Sequence, residues 1–303
     1  MAKKAGLASP PAGMTRQGQQ VAAHWARLSL TLGGALETLR SRGIEPEQAT
    51  AEDVHAVDML HMGGLAATDA LAAMAGVCSG QQVLDVGAGV GGPARRLAQN
   101  YGAHVHGLEL SESVHETAIA LTALVRLQDR VQHTQGSALA LPFPDGAFDV
   151  VVMQHVAMQI AEKNTLFAEC VRVLKPGGAL ALHEIFLGGG GEPQFPLAWA
   201  TNPAMSSLEP LAACTARLAR LGLQAGNFAD QTEESRRYHA VNMEKWRLAL
   251  AQQQGADGRS IEAVTTRLAT ATSMERNLRE GRLQVGMIVY RNRARHTDAS
   301  GRP

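Results

Sequence analysis

Apolar residues recur along this chain with two different periods, and the change of period divides it into regions. Near the N-terminus Val21, Trp25, Leu28 and Leu32 fall three to four residues apart, which predicts a helix over about 15–42, closed by Gly43. Thr50-Ala-Glu-Asp opens a second, short helix with an N-cap signature. His61-Met-Gly-Gly is a break, and a helix of small residues then runs over 65–76 toward Gly80. From there short apolar runs near 82–86, 103–109, 131–135, 148–153 and 179–186 read as strands, and helical spacing returns near 92–100, 112–125 and 164–174. Alternation of this kind predicts an α/β fold, a mostly parallel sheet with helices on both faces. Lys175-Pro-Gly-Gly reads as a helix stop and turn before the fifth strand, and Gly188–Gly191 as a hinge-like run. Further helices are expected near 209–222, 232–253 and 260–280, followed by a closing strand at Leu283–Arg291. Residues 1–14 and 294–303 read as disordered tails.

Composition narrows the classes of function. Hydrophobic residues are 45% of 303, enough for a sizeable core, and 28 basic side chains balance 28 acidic ones. A chain without basic excess is a poor candidate for sequence-independent binding to nucleic acid or to an anionic membrane. No apolar run reaches the roughly 18 residues of a membrane span. The segment Met1–Met14 lacks the apolar centre of a secretory signal. Cys78, Cys170 and Cys214 are odd in number and far apart, which fits neither a disulfide framework nor a cysteine zinc site. A cytoplasmic setting is therefore expected.

The candidate chemistry starts at Val83-Leu-Asp-Val-Gly-Ala-Gly-Val-Gly-Gly, an apolar strand running into a glycine turn at a helix start. Gly87, Ala88, Gly89 and Gly91 would let backbone N–H groups approach a ligand. Gly87, Gly89 and Gly92 also satisfy Gly-x-Gly-x-x-Gly, so the loop alone leaves a dinucleotide open. Glu109, at the end of the second strand, can accept hydrogen bonds from two ribose hydroxyls in either case. Asp85 points elsewhere. A pyrophosphate site avoids a nearby carboxylate, whereas an acid before the glycines suits a ligand that carries an ammonium group.

Three segments extend this reading: Asp85 itself, Gly136-Ser-Ala-Leu-Ala-Leu-Pro-Phe-Pro-Asp-Gly-Ala-Phe-Asp-Val-Val-Val, and Arg172-Val-Leu-Lys-Pro-Gly-Gly-Ala-Leu. Together they resemble the class I S-adenosylmethionine-dependent methyltransferases over about residues 57–290, most specifically over 82–186. The resemblance implies a Rossmann-like, seven-stranded, mostly parallel sheet, with a helical N-terminal cap over 15–65 and a cofactor-binding core over 66–187. Lid helices and closing strands of the same domain would occupy 188–293. It implies S-adenosyl-L-methionine as cofactor, held by Asp85, the glycine loop, Glu109 and Leu110, by Ser137 and Ala138 near the adenine, and by Gln154. Many relatives have Asp where this chain has Ser137. His61-Met-Gly-Gly-Leu-Ala-Ala-Thr, Gly-Gly-Pro-Ala-Arg-Arg and Phe195-Pro-Leu-Ala-Trp-Ala narrow the resemblance to small-molecule methyltransferases of the sarcosine/dimethylglycine and tocopherol-like type.

Methyl transfer asks the protein mainly for proximity, orientation and dry surroundings. The expected acceptor is a small molecule bearing an amine nitrogen. His155, His61 and Glu184 are the candidate catalytic groups, and His61, His155 and Trp199 the candidate acceptor contacts. His183 and Glu184 are neighbours on a strand and face opposite sides; Glu184, nearer the strand end, is expected to face the acceptor. No short metal-ligand spacing is present, and the sequence leaves a homodimer open. Three rival readings stay open: an O-, S- or C-methyltransferase with His155 as general base, a nicotinamide-dependent oxidoreductase, and a non-catalytic binding protein that keeps the cofactor fold.

Overall fold

A computed structural model describes residues 11–28, 31–58, 61–251 and 261–292. The expected tails at 1–10 and 294–303 lie outside the described residues. Residues 11–14, the end of the first tail, form a turn in which the Met14 N–H donates to the Pro11 carbonyl (3.1 Å). Among the described residues four α-helices precede the sheet: α1 (Arg16–Leu28), α2 (Leu32–Ser41), α3 (Ala51–Asp58) and α4 (Gly64–Ala75). The single helix expected over 15–42 is thus two. Thr31 adopts an extended conformation and its hydroxyl accepts the Gly34 N–H, so it caps a new helix where the apolar spacing alone continues the old one.

Strands and helices then alternate through β1 (Gln82–Val86), α5 (Gly92–Tyr101), β2 (His104–Glu109), α6 (Glu112–Leu124), β3 (Val131–Gln135), β4 (Phe148–Gln154), α7 (Lys163–Val173) and β5 (Leu174–Leu187). The chain ends with α8 (Leu211–Arg220), β6 (Leu223–Ala225), β7 (Ala229–Asp230), α9 (Thr232–Ala251), α10 (Ile261–Arg279) and β8 (Leu283–Asn292). The sheet has order β3-β2-β1-β4-β5-β8-β6, with β7 also paired to β8. Among the described residues it has eight strands rather than the expected seven, because the two-residue β7 pairs Ala229 and Asp230 with Met287 and Gly286. Pairings among β1 to β5 are parallel and those to β8 antiparallel. Lys175-Pro-Gly-Gly is a bulge inside β5, where the register jumps from Phe148–Leu174 to Val150–Ala179.

Both faces of the sheet are covered, so its strands are apolar on both sides. Leu84, Val86, Val151, Met153, Leu180 and Leu182 pack with Leu166, Phe167 and Cys170 of α7. Val83, Val105, Val150, Val152, Ala179 and Ala181 pack with Leu71, Ala72 and Ala75 of α4 and with Ala94, Leu97 and Ala98 of α5. The strand order reverses between β1 and β4. In open α/β sheets the crevice beyond the carboxyl ends at such a reversal is where ligands bind.

The glycine run is not a hinge. The Gly188 and Gly190 N–H groups donate to the carbonyls of Arg282 and Gly281 (2.8 and 2.9 Å). A Cβ on Gly188 would lie 2.1 Å from the Gly281 oxygen, and one on Gly190 would lie 2.0 Å from the Glu280 oxygen. These residues are glycine because two backbones touch. Gly190→Ala is therefore expected to destabilise the fold by about 1–3 kcal/mol, the usual cost of overpacking. A lower urea midpoint at unchanged slope would register this, whereas a true hinge would accept alanine with no change.

Candidate active site

The crevice between β1 and β4 collects most of the residues singled out in the sequence. Asp85, Gly87, Ala88, Gly89, Glu109, Leu110, Ser137, Ala138, Gln154, His61 and His155 line one cleft. Gly91, Glu184 and Trp199 are not among the residues that line it.

Asp85 ends a buried strand and its side chain is 2% exposed with Oδ2 unpartnered. Burial first, and the Glu109 charge second, push its carboxyl up to about 7. An unpaired buried carboxylate oxygen is costly, and a cation beside it would relieve that cost. Glu109 is held differently. Its Oε2 accepts the Gly89 N–H (3.0 Å) and its Oε1 the Ser111 N–H (2.8 Å), which fixes the glycine loop to the end of β2. Burial raises the Glu109 pKa, and the backbone donors oppose that rise. Gly87 has φ +72, and a Cβ there would sit 2.4 Å from Val156. A side chain is excluded on both counts.

On the far wall Ser137 is already engaged. Its hydroxyl donates to the Gly13 carbonyl (3.2 Å) and accepts the Leu139 N–H (3.2 Å). The residues just before and within α1 therefore belong to the cleft, and Trp25 lines it too. Trp25 donates through its indole to Gln159 Oε1, and Gln159 Nε2 donates to the His155 carbonyl (3.0 Å). The Trp25 stripe is thus not only core, which its helical spacing could not reveal. Trp199, the expected acceptor contact, is 1% exposed and packs with Met62, Met158, Ile185 and Met205. Its indole N–H meets the Ser206 hydroxyl at 3.2 Å. It fastens the segment after β5 to the body.

His155 has φ +58, an unusual backbone for a residue with a side chain. Its N–H donates to the His183 carbonyl (2.8 Å). The next two N–H groups, of Val156 and Ala157, both donate to Glu184 Oε1 (2.9 Å each). Glu184 is therefore a brace behind the loop and not the acceptor-facing group the sequence favoured. His183 and Glu184 do face opposite sides of the sheet, as neighbours on a strand must. Gln154 pairs in register with His183, so His183 stands level with the end of β4, and Glu184 points the other way.

His183 joins His155 and His61. Ring centroids lie 4.4 Å apart for His155 and His183, 6.0 Å for His61 and His183, and 6.3 Å for His61 and His155. His61 Nε2 lies 3.0 Å from the Gly64 carbonyl, which assigns the proton to that nitrogen, and 3.1 Å from the Thr68 hydroxyl. Thr68 in turn bonds the Gln154 amide. Burial, mainly, lowers His61 to about 4 and His183 to about 3, and drives His155 well below the usual value. All three are neutral at pH 7. Both ring nitrogens of His155 and Nδ1 of His183 are buried without a partner. Among the described residues no group of three His, Cys, Asp or Glu is arranged to hold a metal ion.

Comparison with known proteins places this site in context. Residues 84–182 match the family described as "Methyltransferase domain". A sterol 24-C-methyltransferase of Gibberella zeae is 39% identical over 109 residues, 36% of this chain and 29% of that protein. The glycine/sarcosine/dimethylglycine N-methyltransferase of Actinopolyspora halophila is 34% identical over 152 residues, 50% of this chain and 27% of that one. This chain thus spans under a third of either relative's length. The crystal structure of a geranyl diphosphate C-methyltransferase from Streptomyces coelicolor A3(2) superposes with a TM-score of 0.68 at 17% identity, covering 93% of this chain and 100% of that one. Residues 84–182 are thus similar to a methyltransferase domain, and the sheet around them has the Rossmann-like fold of the solved structure. No helix among the described residues is long and apolar enough to cross a membrane.

The Asp85 shift carries a sign. The native carboxyl keeps its proton up to about pH 7, while an unfolded one loses it near 4. The stability tied to that proton is full below pH 4 and lost as pH rises to 7. Asp85→Asn has no such loss. It is expected to be more stable than the parent by on the order of 2–4 kcal/mol at pH 8, with the gap closing toward pH 4. Urea melts of both proteins across that range would show it, and parallel curves would contradict it.

Proposed function

We propose that this chain transfers the methyl group of S-adenosyl-L-methionine to an amine nitrogen of a small-molecule acceptor. The observation that carries the reading is the unpartnered, buried Asp85 oxygen at the strand-order reversal, one strand away from Glu109. The cofactor, when bound, supplies a methyl carbon on a sulfonium, ready for in-line displacement. Asp85 would hold its ammonium group and Glu109 its ribose hydroxyls. Leu110, Ser137 and Ala138 would border the adenine. A dinucleotide fits less well, because Asp85 would face its phosphates.

The histidines support nitrogen as the acceptor atom. A hydroxyl or a carbon acid needs a base to ionise it. Imidazoles whose basicity burial has lowered are weak bases, although they still hydrogen-bond and orient. An amine needs no such help once it is neutral, and the burial that neutralises the imidazoles also favours a neutral amine. The three separate, unpaired thiols fit a reducing, cytoplasmic setting.

Asp85→Ala and Glu109→Ala are each expected to weaken cofactor binding by about 1–3 kcal/mol in calorimetry, the scale of a lost charged hydrogen bond. Parental affinity in both would refute the assignment. At saturating cofactor, His155→Ala should lower labelled methyl transfer to amines by ~10-fold or more through lost orientation. Transfer to hydroxyl acceptors in preference to amines would instead favour the general-base alternative.

A further inference from the structure

Behind the three histidines lies a second chamber of about 610 Å³, between α4 and α9. His183 and Met287, paired on adjacent strands, belong to its lining. On α4 the lining residues Ala66, Ala67 and Ala70 are small and leave room. On α9 Tyr238 and Val241 line it while 45% and 70% exposed, large apolar surfaces left open to water. The chamber and the cofactor cleft adjoin at the histidines. His61 lines the cleft and Met62, its neighbour, lines the chamber; His155 lines the cleft and its ring lies 4.4 Å from that of His183 in the chamber.

We infer that this chamber receives the body of the methyl acceptor, an amine with a bulky apolar tail whose nitrogen lies at His155 and His183. The inference rests on the methyl-transfer reading above. Three features support it. A volume of 610 Å³ matches a drug-sized ligand, and an amine of one to three carbons would leave most of it unfilled. The His183 ring lines the chamber, and its Nδ1 and both ring nitrogens of His155 behind it are without partners, so this wall has hydrogen-bonding capacity left for a polar head. The charge in the chamber suits an amine better than an acid. Arg237 lies 3.7 Å from Glu233 and is partly neutralised by it, while Glu234 adds a carboxylate.

The test uses the full chain with S-adenosylhomocysteine present and a series of n-alkylamines from ethylamine to decylamine as probes. Calorimetry at one pH is expected to show affinity rising about threefold to fourfold per added methylene until the chamber is full. Ala70→Phe and Val241→Glu change exposed residues, so both variants should fold. Each should abolish most of that rise, lowering decylamine affinity more than tenfold while ethylamine and S-adenosylhomocysteine bind as before. A flat series in the parent chain, or equal losses for short and long amines in the variants, would overturn the chamber assignment. Failure of the parent to bind S-adenosylhomocysteine would overturn the underlying reading instead, so the two failures are distinguishable.

Discussion

The geometry of the cleft depends on one ion pair that never meets water. Arg95, in the first turns of α5, and Asp58, at the end of α3, are both completely buried. The guanidinium donates to Asp58 Oδ2 (2.7 Å), the Val90 carbonyl (2.7 Å) and the Thr122 hydroxyl (3.0 Å). A cation near a helix N-terminus is electrostatically misplaced. Its desolvation cost is offset only because these partners surround it, so the pair is better regarded as a positioning device than as a source of stability. It ties the N-terminal cap, the glycine loop and α6 into one unit. Asp58 comes so near the start of α5 that a Cβ at Gly92 would lie 2.7 Å from it. That glycine, which completes the dinucleotide-like spacing, is thus accounted for by protein packing rather than by phosphate.

A second buried acid does the same for the other wall. The loop after β4 must turn at His155 through a left-handed conformation, which costs on the order of 1–3 kcal/mol for a residue with a side chain. Glu184 offsets this by accepting two consecutive N–H groups just beyond the turn, and Lys163 donates to the Ala157 and Ile160 carbonyls. Burial raises Glu184 to about 7, and the backbone donors hold that rise in check. The strain is localised at a residue that lines the cleft and whose ring packs against that of His183. Strained positions of this kind persist where the surroundings over-determine them, as they do here.

Which parts of this could be read from the residue order follows from the range of each interaction. The strand, glycine turn and helix of 82–101 are local, and Asp85, Glu109 and the loop residues followed from their spacing. The face of the sheet that each end-of-strand residue occupies is not local. Choosing His183 over Glu184 required knowing that β5 extends to Leu187 and pairs His183 with Gln154. The two tryptophans show the same limit. Trp25 had core spacing and lies in the cleft, while Trp199 followed a glycine run and lies in the core. Arg95 and Asp58 are 37 residues apart, and nothing in their local pattern marks them as partners.

The cleft thus contains two opposed electrostatic designs. On one side two carboxylates are packed close enough that the Glu109 charge raises the cost of charging Asp85, and Asp85 Oδ2 has no partner. On the other, three imidazoles are kept uncharged mainly by burial, with charge on His155 and His183 also disfavoured by their histidine neighbours. A cationic ligand stabilises the first side, and a neutral nucleophile is tolerated by the second. A ligand with its ammonium at Asp85, its hydroxyls at Glu109 and a sulfonium between them would, on the proposed reading, find that positive centre facing groups that do not repel it. Had the histidines been protonated, the same crevice would oppose both the sulfonium and an approaching ammonium. Their burial behind α1 and α4 is what makes the two halves compatible.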